Sequence, residues 1–163
     1  MTVPEGGSVT DARRGRSPLR IMLVEDGGDD AALTVRAFER LDLALEIEVF
    51  ATAEPALKRL RQVMGAPTHR AKRYALVLVD LELPGMSGLE FVCQVKADRA
   101  LRRLPLVVLT SSREEADVRA CYDVGANSYV RKPVDQAEFA RLAAQLVHYW
   151  LRLNEPPPCL QDR

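Results

Sequence analysis

Apolar and polar positions along the chain fall into two alternating kinds of segment. Residues 20–24, 46–50, 74–79, 104–109 and 128–130 are short and apolar, and the stretches between them carry helical spacing. The first, third and fourth are nearly unbroken runs, as in Ala75-Leu76-Val77-Leu78-Val79, the pattern of strands covered on both faces. The second alternates, Glu46 and Glu48 against Ile47 and Val49, which predicts an edge strand with one wet face. Between the strands, Ala37, Phe38 and Leu41 share one helical face, Leu57, Leu60 and Met64 a second, and Leu89, Val92 and Val95 a third. Ser112 with Glu115, and Asp135 with Glu138, have the spacing of N-terminal capping pairs, and Gly125 stands where a fourth helix would stop.

A fivefold (βα) repeat with short connections implies an α/β fold with a parallel sheet wound on both faces. Its leading topology is the flavodoxin-like (βα)5 arrangement, a five-stranded sheet in the order 2-1-3-4-5. The 163 residues suffice for one such domain. We expect a disordered tail over residues 1–18, the domain over 19–153 and a proline-rich arm over 154–163. The stretch 65–73, with Pro67 and His69, is the longest internal loop.

In sheets of this kind ligands gather beyond the carboxyl ends of the strands. Those ends carry Glu25 and Asp26 after the first, Asp80 after the third, Thr110 after the fourth, and Lys132 with Pro133 after the fifth. Carboxylates crowded into one crevice repel each other unless a cation neutralises them. A hard divalent ion with oxygen ligands, Mg²⁺ or Mn²⁺, meets that demand and shares its shell readily with phosphate. Phosphoryl transfer asks a protein mainly for alignment and charge neutralisation. Asp80 then reads as nucleophile, Asp26 and Glu25 as metal holders, Thr110 as hydrogen-bond donor and Lys132 as counter-charge.

Four strings, Val24-Glu25-Asp26, residues 80–88 (DLELPGMSG), residues 107–112 (VVLTSS) and Tyr129-Val130-Arg131-Lys132-Pro133, together resemble the response-regulator receiver family over roughly residues 20–146. The resemblance implies that Asp80 is the phosphoacceptor and Asp26 the direct metal-binding acid. It implies that Glu25 acts through water, that the backbone carbonyl of Glu82 completes the metal shell, and that Thr110 and Tyr129 form a switch pair. It further implies a cis bond between Lys132 and Pro133. The Gly27-Gly28 pair departs from the Asn-Pro turn common after the acidic pair in that family, which loosens the loop and removes no ligand.

Helical spacing persists past the sheet through Phe139, Leu142, Leu146, Tyr149 or Trp150, and Leu153, so an overhanging fifth helix carrying large apolar side chains is expected. Tyr149, Trp150 and Leu153 then become an interface. This ending and the long loop before Tyr74 resemble single-domain regulators paired with phytochrome kinases. That resemblance implies a sensor histidine kinase, a bacteriophytochrome, as partner, and a homodimer through the fifth helix and C-terminal extension.

Composition removes competing classes. The 23 basic and 23 acidic side chains cancel, leaving no global field for nucleic acid or an anionic membrane. No apolar run nears the ~20 residues that cross a bilayer, and residues 1–17 lack the apolar segment of a secretion signal, so a cytoplasmic location is expected. Three cysteines, Cys93, Cys121 and Cys159, read as reduced and buried. Phosphate-binding glycine motifs are missing. The chain is therefore expected not to be an enzyme beyond its own phosphorylation and dephosphorylation. The alternatives are a phosphorelay intermediate, a phosphate sink, or a pseudo-receiver that binds partners without phosphorylation.

Overall fold

The computed structural model describes residues 18–64 and 73–157; the calls on the tail before Pro18, most of the loop before Tyr74, His69, Cys159 and the end of the arm lie outside them. Five parallel strands form one sheet in the order β2-β1-β3-β4-β5, as the alternation predicts. They are β1 (Leu19–Val24), β2 (Leu45–Phe50), β3 (Tyr74–Val79), β4 (Leu106–Thr110) and β5 (Ser128–Arg131). The helices α1 (Gly28–Glu39), α2 (Ala53–Met64), α3 (Gly88–Ala97), α4 (Glu115–Asp123) and α5 (Gln136–His148) alternate with them.

Successive strand residues point to opposite faces, so the unbroken apolar runs feed two cores at once. Met22, Val24, Val77, Val79, Leu106 and Val108 pack with α2, α3 and α4. Ile21, Leu23, Leu76, Leu78, Val107 and Leu109 pack with α1 and α5. Each fully buried aliphatic side chain stabilises the fold by about 2 kcal/mol, which is why only a two-faced sheet suits these runs.

Helix ends follow local chemistry. Asp135 accepts the Glu138 amide at 2.9 Å, the predicted cap of α5. Ser87 and Glu90 form a reciprocal capping box on α3 that the periodicity did not single out. Ser112 does not cap α4, whose first helical residue is already Glu115; its hydroxyl turns to Asp117, and the Glu114 amide donates to it at 3.3 Å. Gly125 ends α4 with φ of 97°, a conformation that disfavours any side chain.

Three other expectations are corrected. The edge strand's glutamate face is not simply wet: Glu48 receives Arg20, Arg59 and Tyr74, and Val49 on the other face is 43% exposed. Cys121 is buried but Cys93 is exposed, because it stands on the outer side of α3; both are free thiols. The fifth helix does not overhang as a straight rod. It widens into one π-helical turn, Tyr149–Leu153, closed by a 2.7 Å bond from the Asn154 amide to the Tyr149 carbonyl. The wider turn lays Trp150 and Leu151 against the α1/α5 core, leaving Tyr149 and Leu153 exposed at 51% and 64%.

Candidate functional site

Register brings the site together. Val24 of β1 pairs with Val79 of β3, so the next residues, Glu25 and Asp80, leave the sheet side by side. The Asp80 amide donates to the Val24 carbonyl at 3.0 Å, fixing that exit. On the other side Val79 pairs with Val108, which sets Thr110 at the adjoining strand end, and the Lys132 amide donates to the Thr110 carbonyl at 2.8 Å. Four segments distant in sequence thus share one crevice.

α3 sets the floor of that crevice. A Cβ on Gly88 would lie 2.0 Å from the Asp80 carbonyl oxygen and 2.6 Å from Leu81 Cα, so only glycine lets the helix start this close. Gly85, with φ of 74°, makes the turn that precedes it, and Glu54 of α2 accepts the Met86 amide there at 2.9 Å.

Lys132 organises the acids. Its ammonium bonds Glu25, Asp80 at 2.7 Å and Asp30 at 3.0 Å. The Lys132 side chain is 6% exposed, that of Glu25 4% and that of Asp80 10%, so this cluster is sealed except toward Asp30 and the exposed Asp26. Glu25 also accepts the Gly27 amide at 2.9 Å, and Asp80 the Glu82 amide at 3.3 Å. Thr110 is fully buried beneath.

These contacts separate the two carboxyls. Burial raises the Asp80 pKa, but hydrogen bonds from Lys132 and Thr110 outweigh it, and the net value lies below that of an ordinary aspartate. For Glu25 burial wins over the bonds from Lys132 and Gly27, and its pKa is raised. Burial works against the Lys132 charge, but Asp80, Glu25 and Asp30 together hold it protonated more firmly than usual. Of the two buried carboxyls, Asp80 is thereby the more acidic.

Tyr129, the other half of the expected switch pair, packs its ring against the α2/α3/α4 core and donates its hydroxyl to the Ser112 carbonyl at 3.2 Å. The peptide bond to Pro133 is trans, like every peptide bond among the described residues, contrary to the cis expectation. Trans is the intrinsically favoured isomer, and Lys132 reaches all three acids with it. Asp30 went unrecognised as a site residue; its only sequence signal is a second acid in the first turn of α1, a common helix-dipole feature.

Chemically, the crevice offers oxygen donors alone: the Glu25 and Asp80 carboxylates, Asp26 at its rim and nearby backbone carbonyls. Among the described residues no three His, Cys, Asp or Glu side chains close into a metal cage. An open set of oxygens with more acids than cations fits a hard divalent ion that keeps part of its water shell.

Residues 21–144 match the family model of the response regulator receiver domain, and the chain belongs to that family. It is 37% identical over 147 residues to "Probable methanogenesis regulatory protein FilR2" of Methanothrix harundinacea, spanning 90% of this chain and 93% of that one. It is 30% identical over 134 residues to response regulator Rcp1 of Synechocystis, covering 82% and 90% of the two chains. The Mn²⁺-bound structure of Rcp1 superposes with a TM-score of 0.74 at 28% identity, over 86% of this chain and 99% of the other. The phosphorylated cyanobacterial phytochrome response regulator RcpA superposes with a TM-score of 0.78 at 30% identity, again over 86% and 99%.

Proposed function

We propose that this chain is a response regulator that accepts a phosphoryl group on Asp80 from a phosphohistidine of a sensor histidine kinase. The observation that carries the reading is the buried Asp80, held by Lys132 beside a second buried acid and above buried Thr110. An Asp80 carboxylate oxygen forms the new P–O bond as the P–N bond of the donor breaks, the imidazole leaving with the bonding electron pair. Lys132 supplies positive charge to the equatorial phosphoryl oxygens and Thr110 a hydroxyl donor. Asp26, Asp80, the Glu82 carbonyl and, through water, Glu25 would hold Mg²⁺ or Mn²⁺. When bound, that ion neutralises charge on the phosphoryl oxygens. The metal-bound and phosphorylated forms of the relatives Rcp1 and RcpA support both assignments.

The new charge beside Thr110 draws its hydroxyl outward, and the space it leaves favours the inward Tyr129 already seen here. Phosphorylation then shifts the population of the α4/β5/α5 face. The likeness to Rcp1 and RcpA supports a phytochrome-type kinase as the donor. The chain acts in the cytoplasm and catalyses only its own phosphorylation and dephosphorylation. Labelling with acetyl phosphate and Mg²⁺ tests the core of this reading: wild type takes label and Asp80→Asn takes none. Label persisting in the variant refutes the site.

Exposed Tyr149 and Leu153 on the π-helical turn support a homodimer through that end of α5. Sedimentation of Leu153→Ser should show a lower mass than wild type. An unchanged mass removes the turn from the interface.

A further inference from the structure

An ammonium has three N–H donors, and in this structure each Lys132 donor is committed to a different carboxylate. Glu25 and Asp80 are sealed in the crevice, so their bonds to Lys132 are hard to replace. Asp30 is different: it reaches in from the first turn of α1 at 3.0 Å with its side chain 52% exposed, and water can take the place of its partner. For Lys132 to donate to a phosphoryl oxygen, one of the three bonds must open. The Asp30 bond costs least.

We propose that Asp30 is a positioning residue that competes for the third donor of Lys132 and so sets how readily the site accepts phosphoryl oxygens. The inference rests on Asp80 being the phosphoacceptor. Its geometry is fixed by the helix: Asp30 lies in the first turn of α1, where the Thr34 hydroxyl donates to the Asp30 carbonyl at 2.9 Å, and Phe38 of α1 and Phe139 of α5 belong to the same core. Asp29 supplies the internal comparison. It carries the same charge in the same turn, is equally suited to the helix dipole, and is exposed to solvent.

The experiment is calorimetric titration of the full chain with Mg²⁺, and then with beryllofluoride at saturating Mg²⁺. Asp30→Asn should bind beryllofluoride about fivefold more tightly, the change that corresponds to an ion pair of this exposure. It should bind Mg²⁺ alone slightly more weakly, because one negative charge has left the rim. A general loosening of the fold would weaken both, so movement in opposite directions is the signature. Asp29→Asn should leave beryllofluoride affinity near wild type. Unchanged or weaker beryllofluoride binding in Asp30→Asn overturns the proposal, as does an equal gain in Asp29→Asn. Wild type failing to bind beryllofluoride at all overturns the phosphoacceptor reading and this inference with it, whereas binding by wild type with no response at Asp30 overturns this inference alone.

Discussion

The sheet carries a cluster of charges at each end, and the two are built on opposite principles. At the amino end Arg20 is 7% exposed, bonds Glu46 and Glu48 at 2.9 Å each, and stacks over Tyr74 with 4.9 Å to the ring centroid. Arg59 adds a 3.2 Å bond to Glu48, and the Tyr74 hydroxyl donates to the same carboxylate. Among the described residues, two arginines face two glutamates there. At the carboxyl end, among the described residues, Lys132 alone serves Glu25, Asp30 and Asp80, with Asp26 beside them. The first cluster is balanced and is a piece of architecture. The second has surplus negative charge that the fold leaves for something else to neutralise, and a hard divalent cation is the species that such a surplus attracts.

The sharpest way to break this contrast is to remove the central cation from each end. Lys132→Met leaves buried acids uncompensated and should cost about 3 kcal/mol in chelator, with labelling from acetyl phosphate reduced about 100-fold. Arg20→Met should cost about 2 kcal/mol, because Glu46 and Glu48 keep partial access to water, and should leave labelling intact. Urea denaturation with and without Mg²⁺ separates them: the ion recovers part of the Lys132→Met loss, through preferential binding to the folded state, and none of the Arg20→Met loss. Equal recovery in both variants would erase the distinction.

A smaller effect is expected from Tyr74→Phe, which removes one hydrogen bond from the balanced end and should cost about 1 kcal/mol with no change in labelling. The least perturbing probe is alkali. Burial, followed by the bond to Glu48, pushes the Tyr74 pKa up to about 12, against about 10 for an unfolded tyrosine. The folded state therefore holds this proton more tightly, and the stabilisation it gives is complete below pH ~10 and is lost as pH rises toward ~12. A near-ultraviolet difference titration of wild type against Tyr74→Phe should show the extra phenolate forming late. An ordinary midpoint would mean that the amino-end network is open to water.

The two ends were also unequally legible in the sequence. The strands β1, β3 and β4 announce themselves because an apolar run that feeds two cores has no polar interruptions, and the carboxyl-end residues follow those runs directly. Glu25, Asp80, Thr110 and Lys132 meet as expected, since parallel register leaves consecutive strand ends little freedom. Asp30 could not be read the same way, because a helical periodicity does not say which polar residue reaches a strand end more than a hundred residues along the chain. The amino-end cluster was hidden by a register shift between Arg20 and Ile21, which sets Arg20 opposite Tyr74 and gives the half-exposed glutamate face a cationic and an aromatic partner. Trp150 escaped for a similar reason: one extra residue in a helical turn rotates every side chain after it, and composition does not encode that insertion.

The contact at Gly88 has a mechanical consequence. With no room for even a methyl group between the start of α3 and the Asp80 backbone, the helix and the loop after β3 are clamped as one stiff body. Chemistry at Asp80 therefore has no slack to take up on that flank. Any shift of the Asp80 backbone must carry the start of α3 with it.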